Sequence, residues 1–289
     1  MSRRSTATPT GSRRRLPAAL LAVAVLAGLV LVGSQSSALS QAFRAVPAPP
    51  ANPTNSNQIQ NIDQVRTAIK GYYGDTVTTR TDPMNHTTAL HEASPTSAYA
   101  KEVGRLEKSA SGYLAGSKPS HGSTKAILLD VDDTSVLTYD YEIYSNFAYN
   151  PTTNAAFVHA GFPEVFGMPQ LVQKAEQQGY TVFFLTGRPE TQRADTESNL
   201  EALGYPVTGT KVGDNVDNVF LKDVSHAWTT CDTTGDNVCS TSEVKSETRQ
   251  YIESLGYDIK ANFGDQFSDL SGGYADKTFK LPNPMYYLP

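Results

Sequence analysis

Asp130 and Asp132 stand one residue apart, directly after the apolar run Ala126-Ile127-Leu128-Leu129. Both can face one cavity where the chain leaves strand geometry, and packed like charges attract a hard cation that takes oxygen ligands. Asp265 and Asp269 follow a second run, Ile259-Lys260-Ala261-Asn262-Phe263, and can complete the same site. A few carboxylates, several waters and a phosphate oxygen make a coordination sphere that suits magnesium. Thr186 and Gly187 follow a third run, Val182-Phe183-Phe184-Leu185. A hydroxyl and a backbone amide at that place can donate to an anionic oxygen. One acid at a strand end is an ordinary turn residue or helix cap. Four acids at these spacings make that reading weak and point to a magnesium site.

These residues need a scaffold that brings strand ends together. Short, wholly apolar runs belong to strands buried on both faces. Val219-Phe220-Leu221 and Thr278-Phe279-Lys280-Leu281 read as two more. Helical patterns lie between them, at about 163–178, 190–203 and 242–255, the last two closed by Gly204 and Gly256. This alternation predicts an α/β fold with a parallel sheet flanked by helices. In such sheets ligands bind at the carboxyl ends of the strands, where all three polar clusters fall. Upstream, Ile59, Ile62, Val65 and Ile69 recur at near-helical spacing, with Gly71 as the stop. A second helix begins near Ser94-Pro95 and presents Tyr99, Val103, Leu106, Ala110 and Tyr113 on one face. Asp75 to Ala93 is polar and carries no clear pattern. The predicted layout is a Pro/Ala/Asn-rich linker over 43–57, an N-terminal helical extension over 58–120, and a main α/β domain over 121–289.

Taken in order, Asp130-x-Asp132-x-Thr134, Thr186, a lysine and Gly264-Asp265-x-x-x-Asp269 resemble the four motifs of the haloacid dehalogenase (HAD) superfamily. Closer cues resemble the secreted acid phosphatases related to the class B and C bacterial enzymes, plant acid phosphatases and vegetative storage proteins. They are Asp130-Val-Asp-Asp-Thr134 with Tyr139-Asp-Tyr-Glu142, Phe184-Leu-Thr-Gly-Arg-Pro189, Gly264-Asp-Gln-Phe-Ser-Asp-Leu270, and Lys280-Leu-Pro-Asn-Pro-Met-Tyr-Tyr287. The resemblance spans about residues 58–289 and implies a HAD-like Rossmannoid sheet with a small cap insert at about 135–170.

It also implies roles. Asp130 would attack phosphorus and form an aspartyl-phosphate, dividing one hard step into two. Asp132 would protonate the leaving oxygen and later activate water, helped by repulsion from Asp130 that favours its protonated form. Magnesium would be held by Asp130 and Asp265 with the carbonyl of Asp132, and Asp269 would complete the metal site by holding metal-bound water. Thr186 and the Gly187 amide would bind a phosphoryl oxygen. Motif order assigns the phosphate-neutralising lysine to Lys245, with Lys222, just past the third strand, as the rival. Superfamily members acting as dehalogenases or phosphonatases lack an acid at the position of Asp132. An alcohol leaving group needs a proton, so that acid implies hydrolysis of small phosphomonoesters or phosphotransfer to another alcohol. A non-catalytic storage or binding protein on the same fold is the alternative.

Other phosphatase designs do not fit. None of the five histidines has Arg before it and Gly after it, and position 245, six after Cys239, is Lys. Asp133 carries no assigned role and reads as a turn acid that tolerates replacement. Tyr139, Tyr141, Tyr144, Phe147 and Tyr149 of the insert read as its own small core, or as a stacking surface for an aromatic substrate. Trp228 reads as a packing residue.

The first segment stands apart. Residues 1–15 hold five arginines and no acid, and Leu16 to Gly33 is an unbroken apolar and small-residue stretch. Small residues follow at Ser36, Ala38, Ser40 and Ala42. Basic, apolar, then small is the layout of a secretory signal peptide over 1–42, and Ser12-Arg13-Arg14-Arg15-Leu16 resembles a twin-arginine signal. An uncleaved leader would instead be a membrane anchor. Without it, 19 basic residues face 29 acidic ones, a net charge of about −10, which excludes phosphate-backbone binding of nucleic acid as a scaffold role. Export also favours a disulfide between Cys231 and Cys239, the only cysteines. N-terminal sequencing of the exported protein should find a start beyond Met1; an intact Met1 on a membrane-bound form would overturn cleavage.

Overall fold

A computed structural model describes residues 61–231 and 239–288. The expected leader and linker, 1–42 and 43–57, lie outside the described residues. Ile62–Pro289 forms one unit. Its centre is a five-stranded sheet of β3 (Thr124–Leu129), β4 (Thr181–Pro189), β5 (Val219–Lys222), β6 (Tyr257–Gly264) and β7 (Thr278–Lys280). The spatial order is β5-β4-β3-β6-β7, and every pairing is parallel. Chain order runs outward from β3 through β4 to β5, then jumps to β6 on the other side. A ligand crevice belongs at such a switch point, beside the end of β3.

The apolar runs form strands because both faces are covered. Ile127 and Leu129 join one core with Tyr99, Val103 and Leu171, while Ala126, Leu128, Phe183 and Ile259 join another with Ile252. The first face carries α2 (Ala98–Gly116) and α5 (Met168–Gln177). The second carries α7 (Thr241–Ser254), which starts with a capping box between Ser240 and Glu243. Beyond α5, α6 (Arg193–Ala202) follows β4.

The extension differs from the sequence reading. Its first helix, α1 (Ile62–Tyr73), runs through Gly71 and ends at Gly74, whose φ of +64° suits a residue without a Cβ. Ile62 and Val65 are exposed, and Ile69 and Tyr73 form the buried edge. The polar stretch after it is an antiparallel hairpin, β1 (Thr76–Thr81) with β2 (Ala89–Glu92). Buried Asp82 organises its turn by accepting from the backbone amides of Met84, Asn85, Thr87 and Thr88. Such a turn leaves no hydrophobic period to read. The helix expected from near Ser94-Pro95 starts at Ala98, where Ser97 caps α2 by accepting from the Ala100 amide.

Two short helices precede α5, α3 (Tyr139–Tyr144) and α4 (Pro151–Ala160). The pattern expected from 163 starts at Met168, after Gly167. Tyr139 and Tyr141 are buried and Tyr149 is exposed, so the insert's aromatics divide between core and surface. Among the described residues no helix is long and apolar enough to cross a membrane.

Three tyrosines lock α1, α2 and α3 together. The Tyr73 ring lies 4.4 Å from Tyr99 and 4.6 Å from Tyr139, and all three are buried. Deleting a buried aromatic costs about 3–5 kcal/mol. Tyr73→Ala should lower the unfolding free energy by that margin, read as a lower urea midpoint; an unchanged midpoint would show that α1 is not anchored by this stack.

Candidate active site

Past β3 the ladder continues for one residue, with the Asp130 amide donating to the Phe263 carbonyl at 2.9 Å. The chain then turns back. The amides of Ser135 and Val136 both donate to the Val131 carbonyl, and Asp133 sits at a φ of +54°, a region aspartate enters more readily than most residues. Asp130 therefore stays at the end of the central strand.

Asp130 lies beside two acids from β6. Ligand atoms of Asp130, Asp265 and Asp269 all fall within 4.8 Å of one another, and all three residues are buried. Asp265 follows Gly264 at the strand end, and Asp269 folds back from α8 (Phe267–Leu270). A Cβ on Gly264 would collide with the Asp269 side chain, so glycine there permits the approach.

Lys245 enters from α7 and donates through Nζ to Asp130 Oδ1 at 2.5 Å and to Asp269 Oδ1 at 2.6 Å. Lys222, the rival, donates to Thr241 Oγ1 at 3.5 Å, away from the acid cluster. Burial alone would discharge Lys245, but its two carboxylates outweigh that and hold its pKa above the usual lysine range. Burial pushes the Asp130 carboxyl well up, and the Lys245 ammonium opposes it. Asp265 is pushed up to about 7, by burial first and by Asp133 and Asp269 next. One ammonium among three buried carboxylates leaves excess negative charge, and the donors are all oxygens. Such a set fits a hard divalent cation, magnesium included.

Asp132 turns the other way. Arg188 grips both its oxygens, Nη2 to Oδ1 at 2.7 Å and Nε to Oδ2 at 3.0 Å, and is itself held by Thr196 Oγ1 at 3.0 Å. The sequence reading named repulsion from Asp130 as the influence on Asp132; the fold adds a bidentate guanidinium to it. Arg188 was legible in principle, because it lies two residues after Thr186 and shares its strand face. Thr186 Oγ1 accepts from the Arg188 amide at 3.1 Å, and Gly187 beside it is exposed.

Asp133 is no spare turn acid. It is buried and accepts from the Thr138 amide at 3.1 Å, Thr138 Oγ1 at 2.6 Å and Tyr286 hydroxyl at 2.8 Å. Burial pushes it up to about 8, against the pull of Thr138 and Tyr286. Glu142 is pushed up to about 7 by burial and then by Asp132. Arg249, one helical turn after Lys245, is also buried. Its guanidinium donates to the carbonyls of Asp269 at 2.7 Å, Gly273 at 2.8 Å and Ser271, so it fastens the loop that carries Asp269. Cys231 and Cys239 are bonded, and Trp228 stacks on Tyr251 at 4.1 Å as packing.

The family model described as HAD superfamily, subfamily IIIB (acid phosphatase) matches residues 75–289. Acid phosphatase 1 of Solanum lycopersicum is 29% identical over 199 residues, covering 66% of this chain and 69% of that protein. The stem 28 kDa glycoprotein of Glycine max is 31% identical over 172 residues, 54% of this chain and 60% of that one. Vegetative storage protein 2 of Arabidopsis thaliana is 28% identical over 190 residues, 63% of each. The chain thus spans less than two thirds of the soybean and Arabidopsis proteins.

The raised carboxyls set the sign of the pH dependence. Each binds its proton more tightly folded than unfolded, so its stabilisation is complete below about pH 4 and is lost as pH rises through the folded value. The window closes at about 7 for Asp265 and Glu142 and about 8 for Asp133. The metal-free protein should melt higher at pH 5 than at pH 8, and Mg2+ should raise Tm more at pH 8. Melting curves in EDTA that climb with pH would contradict this.

Proposed function

The chain belongs to subfamily IIIB of the HAD superfamily, the acid phosphatases, and from there we propose that it is a secreted, magnesium-dependent enzyme hydrolysing small phosphomonoesters through an aspartyl-phosphate. The observation that carries this reading is the buried contact of Lys245 with Asp130 and Asp269, with Asp265 in the same cluster, at the end of the central strand. The signal-like leader, the disulfide and the likeness to plant glycoproteins support export.

In this reading Asp130 attacks phosphorus through one carboxylate oxygen while the ester oxygen leaves. Asp132 hands the leaving alcohol a proton, then takes one from the water that cleaves the aspartyl-phosphate and restores Asp130. Arg188 keeps Asp132 aimed through its bidentate contact. Thr186, whose oxygen already accepts from Arg188, has its hydroxyl proton to donate to a phosphoryl oxygen, with the Gly187 amide alongside. Lys245 offsets phosphate charge and fixes the nucleophile. Asp130, Asp265 and Asp269, with the carbonyl of Asp132, would hold magnesium, which supplies charge neutralisation for the meeting of two anions.

Relatives named as storage proteins motivate the rival reading of a non-catalytic protein. The presence of Asp130, Asp132, Asp265 and Lys245 together favours catalysis. Purified protein should hydrolyse a chromogenic phosphate ester with Mg2+ and lose that activity in EDTA. Asp130→Asn should lower kcat on the order of a thousandfold or more, as removal of a nucleophile does. Absence of turnover with any divalent metal would overturn the enzyme reading in favour of binding or storage.

A further inference from the structure

The segment that leaves β7 carries no role in the reaction described above, yet it reaches the acid cluster. The Leu281 amide donates to the Gly264 carbonyl at 2.9 Å, which delivers the chain to the same sheet edge as Asp265. Pro282 and Pro284 flank Asn283. Each proline fixes its own φ, and Pro284 also restricts Asn283, so this stretch is stiff before it makes any contact.

Asn283 donates through Nδ2 to Asp265 Oδ2 at 2.7 Å. Its amide orientation is settled by its other end, since Oδ1 accepts from the Met285 amide at 2.8 Å. Gln266 repeats the arrangement. Its Nε2 donates to the same Asp265 Oδ2 at 2.6 Å, and its Oε1 accepts from the Leu288 amide at 3.1 Å. Two side-chain amides thus converge on one carboxylate oxygen, each turned by a backbone N–H of the 282–288 segment. A third tie runs from the Tyr286 hydroxyl to Asp133 Oδ2 at 2.8 Å. Oδ2 of Asp265 takes both donors, and neither of them engages Oδ1.

We infer that residues 282–288 form the outer wall of the metal site, and that Asn283 is a positioning residue that orients Asp265 for the cation. This rests on the reading of Asp130, Asp265 and Asp269 as magnesium ligands. Partners of metal-binding carboxylates commonly shift affinity by about 10–100-fold when removed. The effect is expected on metal binding before chemistry, because Asn283 touches Asp265 and not the leaving-group acid Asp132.

The test is titration calorimetry of the full chain with Mg2+ alone, on wild type, Asn283→Leu and Asn283→Ala. Leucine removes the donor at similar volume. Alanine removes the donor and the acceptor together and adds no charge to the site. Both variants should bind Mg2+ at least about tenfold more weakly. At saturating Mg2+ their kcat should return toward wild type with the ester KM unchanged, a split that general loss of structure would not produce. If Asn283→Leu fails to fold, Asn283→Ala decides. Wild-type Mg2+ affinity in the folded variants would overturn the role of Asn283 and leave the magnesium reading intact. A wild-type protein that binds no Mg2+ would overturn the magnesium reading itself, and this inference with it.

Discussion

Four carboxylates packed into the interior at one sheet edge set the terms for the rest of the molecule. Asp130, Asp133, Asp265 and Asp269 are all buried, and Lys245 is the cation that touches two of them. Buried charge is tolerated only when it is paired and hydrogen-bonded. The surroundings supply those partners one by one. Asp133 is met by Thr138 and Tyr286, Asp265 by Gln266 and Asn283, and Asp269 by Lys245 and the Gln266 amide. The negative charge still in excess is what a divalent cation would balance.

The sheet makes this concentration feasible. β3 and β6 are adjacent and parallel, so their carboxyl ends bring Asp130 and Asp265 side by side without any long loop. The helix α7 crosses behind them and serves twice through one face. Lys245 reaches into the acids, and Arg249, four residues later, binds the carbonyls of the loop that holds Asp269. A capping box at Ser240 and the Cys231–Cys239 bond fasten the start of that helix. Rigid elements thus hold the charged groups, which a preorganised electrostatic site depends on.

Asp132 stands outside that cluster in a different environment. Its side chain is 30% exposed and faces Arg188, whereas the Asp130 side chain is 8% exposed and faces Lys245. Two aspartates one residue apart therefore sit in unlike surroundings, which suits them to unlike tasks, one to bond and one to move a proton. The tight turn with Asp133 at positive φ is what separates them.

Much of this was readable before any fold was known. The apolar runs specified the parallel sheet, because only strands covered on both faces can be so uniformly hydrophobic. Motif order placed Asp130, Thr186, Lys245, Asp265 and Asp269, and it preferred Lys245 to Lys222. Local signals failed where stability came from one side chain satisfying several backbone groups, as with Asp82 in the hairpin. They also failed where a helix face was chosen by its neighbours, as with Ile62 and Val65. Arg188 and Arg249 lay at spacings of two and four from assigned residues and were open to inference from strand and helix periodicity. Asn283 offered no such signal. The sequence by itself determined which residue types stand at the strand ends and so the class of chemistry. Only the tertiary structure decided that Asp132 pairs with Arg188, that Asp133 is buried and bonded, and that a segment beyond the last strand turns Asp265. Those partners are 56, 153 and 18 residues apart in sequence, and no local pattern encodes a hydrogen bond made across such distances.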